Sequence, residues 1–451
     1  MKCIEDEIPF EVPEGWAWSR IFSISQDLPY GTSKKSSSSG EIAVLRMGNL
    51  QQGEIDYTDL VYSSNKEDID KYLLTDGDLL FNRTNSSEWV GKTAIYRGET
   101  AAIYAGYLIR IRSLLDAEYL NSVMNSKYIK EICFLVKTDA INQSNINAAK
   151  LGSFLIPIPP SKEQIRIANK LSDILYWVNY IVTGKLELQQ YIHQIKSKIL
   201  DLAIQGKFVP QDPNDEPASV LLERIRAEKE ELIKQRKIKR DKKESVIFRG
   251  EDNSYYLNDG NTIIDISDEI PFIIPDSWSW GKLKDIVIIN PRNKLADDTE
   301  VAFVPMSLIE DGYSGNHTSE IRKWKDVKTG FTHFKERDIG VAKITPCFEN
   351  RKSVIFRNLC NGYGAGTTEL HMLRSYKNTI LPEYLLAYVK TNQFIENGKQ
   401  TFSGVVGQQR IGKEYIENAY FPIPPIKEQY RIAKKIEDLF SYLNTITNAL
   451  T

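Results

Sequence analysis

Short apolar runs separated by turn residues fill two stretches of the chain, and each stretch gives way to a long helical period. IAVLRMGNL, DGDLLFNRT, TAIYRG and GYLIRIRS make up the first stretch; FVPMSLI, DIGVAKITP, SVIFRN and LHMLRS make up the second. Runs this short, punctuated by Gly, Asn and Asp, predict β-rich domains. Late in each stretch, LDAEYLNSVMNSKYIKEICF and LPEYLLAYVKTNQFIENG carry a helical period. A Pro-rich box then closes the stretch, because consecutive prolines do not enter a helix interior.

Beyond the first box, steps of three and four residues run through Leu171, Ile174, Val178, Ile181, Lys185, Leu188, Ile192, Ile195, Ile199 and Leu202, nine of them apolar. That is a sustained heptad seam. The same stepping beyond the second box gives Ile436, Leu439, Leu443, Ile446 and Leu450. A helix over 162–204 is roughly 65 Å long, more than one domain of ~150 residues can cover. Two such helices are therefore expected to pack on each other, most simply antiparallel; the alternative is two amphipathic helices lying on their own domains. Gly206, Pro210, Pro213 and Pro217 break the first helix, and Asp215 or Ser219 is placed to cap the charged helix that follows. That helix has a thin apolar stripe (Leu222, Ile225, Leu232, Ile233) and a basic end over 234–243, which reads either as a DNA patch or as a solvated face.

The pattern is also a repeat. DEIPFEVPEGWAWSRI (6–21) returns as DEIPFIIPDSWSWGKL (268–283) with eight of sixteen positions identical, and PIPPSKEQIRIANKL (157–171) returns as PIPPIKEQYRIAKKI (422–436) with eleven of fifteen identical. The offsets, 262 and 265, differ by only three residues. Between the boxes little aligns beyond Gly77-Asp78-Leu79-Leu80 with Arg337-Asp338-Ile339-Gly340, and Gln143 with Gln408. A frame kept at both ends around a divergent middle implies one scaffold with two specificities, or else neutral drift of surface loops. The chain divides into a first β-rich domain (1–160), a long helix (161–205), a break with the charged helix (206–245), a second β-rich domain (246–425) and a shorter copy of the helix (426–451). The expected class is α+β, with two tandem β-rich domains joined by coiled-coil helices as a pseudo-two-fold repeat.

Composition narrows the function without naming it. A length of 451 residues asks for two or three domains. No apolar run approaches ~18 residues, and the opening MKCIEDEIPF lacks the apolar stretch of a signal peptide, so a cytoplasmic protein is expected. Cys3, Cys133, Cys347 and Cys360 lie too far apart for a disulfide scaffold or a zinc site. A net charge of −2 leaves room for a local basic groove. Neither Pro-Pro pair has the Asn/Asp-Pro-Pro-aromatic form of an amino-methyltransferase, and Glu-x-Lys, a common nuclease tripeptide, is absent. Gly91-Lys92-Thr93 lacks a P-loop's first glycine, since position 86 is Ser, and His193, His317, His333 and His371 form no i, i+4 metal pair. A non-catalytic chain without a cofactor of its own is expected.

Three boxes, in order, resemble the specificity (S) subunits of type I restriction–modification systems. The opening box is carried by Pro9, Phe10, Pro13, Trp16 and Trp18, and again by Pro271, Phe272, Pro275, Trp278 and Trp280. The closure is carried by Pro157, Pro159, Pro160, Glu163, Gln164 and Ile167, and again by Pro422, Pro424, Pro425, Glu428, Gln429 and Ile432; the central segment is 206–218. The resemblance implies two target recognition domains, each reading half of a bipartite double-stranded DNA site, and helices that dock two modification (methyltransferase) subunits. Restriction–translocase subunits would complete the complex, and S-adenosylmethionine, ATP and Mg would serve the partners. An orphan or truncated subunit forming inactive complexes, and a coiled-coil scaffold binding proteins only, are the alternatives.

Base readout needs Arg, Lys, Asn, Gln, Ser or Thr on loops. The candidates in the first domain are Lys34, Lys35, Arg46, Asn49, the run Asn82, Arg83, Thr84, Asn85, Ser86 and Ser87, and Gln143 with Asn145. In the second domain they are Lys343, Thr345, Asn350, Arg351, Lys352, Gln408, Gln409 and Arg410. Each could instead be a solvated loop residue. The paired tryptophans are expected to pack rather than to stack on bases.

Overall fold

The computed structural model describes residues 5–450 except 87, 141, 142, 239, 241–244, 378 and 406; Cys3, Ser87 and most of the basic run beyond 238 lie outside the described residues. The chain forms two compact units, 1–183 and 184–451.

Each unit is closed by a two-stranded frame built from its two boxes. In the first, Ala17–Arg20 pairs antiparallel with Leu155–Ile158, setting Trp18 opposite Pro157; in the second, Ser279–Lys282 pairs with Tyr420–Ile423, setting Trp280 opposite Pro422. Polar contacts repeat as faithfully. Gln164 Nε2 donates to the Pro159 carbonyl at 2.9 Å while its Oε1 accepts from the Asp116 amide. Gln429 does the same with Pro424, at 3.0 Å, and Leu381. The hydroxyls of Tyr119 and Tyr384 close on the Pro157 and Pro422 carbonyls. Both glutamines are buried, so every bond they make replaces one lost to water.

Two small sheets recur inside both frames. The first unit has Leu108–Ile111, Leu79–Asn82 and Thr93–Ile95 in one sheet, and Val61–Ser63, Ile42–Leu45 and Ala102–Tyr104 in the other. The second unit repeats this with Val287–Ile289, Leu370–Ser375, Ile339–Ala342 and Ser353–Ile355, beside Glu320–Lys323, Glu300–Val304, Tyr363–Gly366 and Thr332–Lys335. Ile42–Leu45 runs parallel to Ala102–Tyr104, as Glu300–Val304 does to Tyr363–Gly366, amid otherwise antiparallel pairings. The central strands Leu79–Asn82 and Ile339–Ala342 are buried on both faces, which explains runs of apolar residues without alternation. Just before each, a buried aspartate holds an arginine in a fork: Asp78 with Arg112 and Asp338 with Arg374, both at 2.8 and 2.7 Å.

The late helical stretches are each two helices, not one. Ala117–Met124 and Lys127–Val136 meet at Ser126, and Pro382–Val389 and Asn392–Lys399 meet at Thr391; in each case the hydroxyl caps the second helix, accepting from Ile129 N or Phe394 N. The second unit also carries an addition that the strand pattern did not separate, a meander of Val246–Arg249, Tyr255–Asn258 and Ile263–Asp265 ahead of its Trp box.

Three helices complete the chain: α1 (Ser161–Ile204), α2 (Ala218–Lys234) and α3 (Ile426–Ala449). Helix α1 is unbroken over 44 residues, as the heptad seam predicts. Its later part packs with α3 in the second unit, and the contacts run antiparallel: Lys196 Nζ donates to Asn444 Oδ1, and Lys435 Nζ to the Phe208 carbonyl just beyond α1. Ile192 and Ile199 are buried there, with Leu202, Ile436, Leu439 and Leu443 packed beside the core. The rest of the seam is open: Leu171, Ile174, Val178, Ile181, Leu188, Ile195 and Ile446 are all exposed. Within the second unit, the expected helix pairing is present between the end of α1 and α3. Neither Ser219 nor Asp215 caps α2; Pro217 precedes it without a side-chain cap, and Asp215 is taken by an ion pair with Arg431.

Candidate nucleic-acid interface

The two divergent middles each form a corner at which a strand end meets a returning segment. In the first unit, Ile146 N donates to the Arg83 carbonyl at 2.9 Å, and Thr84–Asn85 pairs with Gln143–Asn145. In the second, Ile411 N donates to the Lys343 carbonyl at 3.0 Å, and Ile344 bridges Arg410. The backbone thus makes Arg83 and Lys343 counterparts, and the runs at 143–145 and 408–410 likewise. Candidates chosen from separate places in the sequence converge at one corner per unit.

Around Arg83 the side chains are arranged rather than loose. Its guanidinium lies 4.6 Å from the Tyr30 ring centre, and Nη1 donates to the Gly106 carbonyl. Asn145 Nδ2 donates to Thr84 Oγ1 at 2.8 Å, while Ser86 and Gln143 are exposed. Beside this corner an open groove of about 570 Å³ is lined by Thr32, Lys34, Lys35, Arg46, Gly106 and Tyr107. Lys34 is held by Asn65 and Asp68, and Arg46 by Asp59, so these cations are positioned and partly neutralised.

The second corner has a different chemistry. Arg410 grips Glu369 with two bonds of 2.9 and 3.0 Å, and this holds the Glu369 carboxyl below its usual range. Thr345 exchanges bonds with Gln409 through its backbone and hydroxyl, and Gln408 is exposed. His371 lies buried beneath, its Nε2 against the Ile411 carbonyl, and burial lowers its pKa.

Other candidates are structural. Asn82 is fully buried, its amide spent on the Trp89 carbonyl and the Thr84 amide. Asn49 is buried and ties the turn at Arg46 to Asp56 and Asp59. Arg351 donates to the Lys390 carbonyl and Asn392, Lys352 reaches Asp311 and the Met306 carbonyl, and Asn350 sits exposed on the neighbouring turn. Asn49 and Asn82 are thus buried, with their amides engaged by the surrounding backbone. Residues missed in the sequence are Tyr30, Tyr107 and Glu369. Tyr30 stands 53 positions before the arginine it supports, so no spacing marks it. The tryptophans pack: Trp278 and Trp280 are buried, and Trp18 meets Phe10 and Tyr128 edge to face.

Among the described residues, no cluster of three or more His, Cys, Asp or Glu side chains could hold a metal, and no helix is long and apolar enough to cross a membrane.

The profile described as "Type I restriction modification DNA specificity domain" matches residues 18–189 and 275–451. The Escherichia coli type I restriction enzyme EcoAI specificity subunit is 46% identical over 261 residues, 57% of this chain and 41% of that protein. The EcoEI specificity subunit of the same species is 45% identical over 251 residues, 55% of this chain and 39% of that one. The chain therefore spans about two fifths of the length of these relatives in its matches. A solved chain from the type I R-M system superposes with a TM-score of 0.59 at 14% identity, covering 98% of this chain and 94% of that one. The HsdS subunit from Thermoanaerobacter tengcongensis gives 0.53 at 14% identity, covering 99% and 94%; at such identity both show the fold.

Proposed function

The chain belongs to the type I restriction–modification DNA specificity family, and on that premise we propose that its two corners read the two halves of a bipartite double-stranded DNA target. The carrying observation is that the corners occupy the same backbone position in both units, fixed by Ile146 on Arg83 and Ile411 on Lys343, yet present different donors and acceptors. A shared position suits two contacts with one duplex, and different side chains suit two different half-sites. In this reading α1 and α3 carry the surface that docks two modification subunits, with restriction–translocase subunits joining the full complex. Methyl transfer to adenine from S-adenosylmethionine, and the work of ATP and Mg, then belong to those partners. The protein is a cytoplasmic specificity subunit that selects the site and does no chemistry on it.

The test is reconstitution with modification subunits, followed by methylation of a DNA library. Replacing 6–160 with another recognition domain is expected to change one half of the methylated target and leave the other. Methylation by the chain alone, or a change in both halves together, overturns the reading.

A further inference from the structure

Two backbone bonds, one in each unit, identify a further pair of matched positions at the corners. Lys343 N donates to the Glu369 carbonyl at 3.0 Å, and Arg83 N donates to the Tyr107 carbonyl at 3.0 Å. Glu369 therefore stands where Tyr107 stands in the first unit, and Arg410, just before Ile411, stands where Asn145 stands just before Ile146. At these two positions the second unit sets an arginine beside a carboxylate, and the first sets an amide and a phenol. The main chain holds the second pair in place: Arg410 and Ser403 exchange bonds of 2.9 and 3.1 Å, and Glu369 N donates to Thr367 Oγ1 at 3.1 Å.

The bonds within the pair decide what it still offers. A guanidinium has five N–H donors. Nε and Nη2 of Arg410 donate to Glu369, and Nη1 donates to the Gln408 carbonyl at 2.8 Å, so among the described residues one donor on each terminal nitrogen remains free. The bond to Arg410 holds the Glu369 carboxyl below its usual range, so the group is ionised and accepts only. Its Oε1, the oxygen bonded to Nη2, keeps acceptor capacity next to the free donors. Both side chains reach solvent, at 39% and 26% exposure. The pair therefore presents two donors and then an acceptor in one row. In the major groove a G·C pair presents the complement, guanine N7 and O6 as acceptors followed by the cytosine N4 amino donor, whereas an A·T pair presents acceptor, donor, acceptor. A phosphate suits the row poorly, since its charge falls against the Glu369 carboxylate.

We infer that Arg410 and Glu369 read one G·C base pair as a unit, Nη1 and Nη2 donating to guanine N7 and O6 while Oε1 accepts from cytosine N4. The inference rests on the reading of the corners as DNA contacts and goes further by naming a base pair. The first unit, with Asn145 and Tyr107 at the matched positions, cannot make this contact there.

The experiment uses the full chain reconstituted with modification subunits and a DNA library. The half-site that survives replacement of 6–160 belongs to the second unit, and it should contain one G·C pair whose change to A·T lowers methylation about tenfold or more. Arg410→Ala should relax that position, Glu369→Ala should relax the same position less, and the double substitution should relax it no more than Arg410→Ala. Placing 7-deazaguanine there removes the N7 acceptor; this should weaken binding by the native chain severalfold and leave Arg410→Ala indifferent. A merely structural ion pair would lower methylation at all positions together. That result overturns the inference, as does relaxation at two different positions or indifference of the native chain to 7-deazaguanine. Those results leave a site-selective native complex, and with it the reading of the corners, intact; a native complex without site selection overturns both.

Discussion

In the first unit, the corner beyond Leu79–Asn82 carries Arg83 stacked on Tyr30 and faces Gln143 and Asn145; in the second, Lys343 stands at the same place and faces Arg410, which Glu369 has already claimed. One backbone bond places both corners alike, the first continuing as a strand pair and the second as a single bridge, and the side chains they present differ. Further from the corners the units differ in ways that have nothing to do with a ligand. Lys390 is buried at the end of its helix, donating to the Gly312 carbonyl, where the first unit has Asn125, a neutral amide bonded to the Asn121 carbonyl. Arg337 holds φ +68° in the turn where the first unit has Gly77 at +86°. Duplication kept what closes a domain and released what the closed domain displays.

The largest test of that equivalence is the buried fork. Asp338→Ala should cost the second unit about 3–5 kcal/mol by leaving Arg374 unpaired, and Asp78→Ala should cost the first unit somewhat less. The inequality follows from exposure, because Arg112 is 29% exposed and Arg374 is 13%. Hydrogen exchange resolved by unit reads both, and equal losses would mean that solvent screening plays no part. Next, Arg83→Ala should weaken specific binding by about 1–3 kcal/mol and relax only one half-site, if it makes a bidentate base contact. Lys343→Ala should relax the other. Filter binding on half-site variants separates them, and an effect of either substitution on both halves would break the one-corner, one-half assignment.

A third contrast is pH. Burial lowers the Lys390 pKa to about 7. Below that value lysine is charged in both folded and unfolded chains and the cost of burying it is constant. From about 7 up to its unfolded value near 10.4, the unfolded chain holds a proton the native one has shed, so stability rises with pH, by at most ~1.4 kcal/mol per unit. The second unit should therefore gain stability between about pH 7 and 9.5 by this term, and Lys390→Asn should flatten the gain. Thermal melts across that range check it; the same slope in the substituted protein would assign it elsewhere. Smallest is Arg337→Gly, expected to stabilise the second unit by up to ~1 kcal/mol by relieving a left-handed conformation, measured by denaturant titration.

Much of this was readable in the sequence because it is local or periodic. Two boxes repeated at near-equal offsets gave the frames, and steps of three and four gave α1 to within a residue of its start. The corner residues were found because strand ends followed by Arg, Asn and Thr are conspicuous. Side-chain type does not say which way a residue faces, so Asn82 and Asn49 were indistinguishable from their neighbours until burial was known. Long-range partners were invisible for the same reason: Asp215 has the composition of a cap, and only the fold brings it to Arg431, 216 positions away. Ser126 and Thr391 split helices that hydrophobic period alone joins.

The frame strands carry one more consequence, for the order in which the chain comes together. Trp18 must find Pro157 and Trp280 must find Pro422, in each case across some 140 residues, and the two closing strands both end in Pro-Ile, the start of a shared Pro-Ile-Pro-Pro. A chain released from denaturant holds both closing strands at once, and either opening strand can clasp the wrong one. On the ribosome the competition does not arise, because the second closing strand is made 265 residues after the first, roughly 13–50 s later at ordinary synthesis rates, and a domain of this size settles in less. Vectorial synthesis thus supplies the discrimination that the duplicated strands lack, and refolding yield in the test tube should fall below yield in the cell.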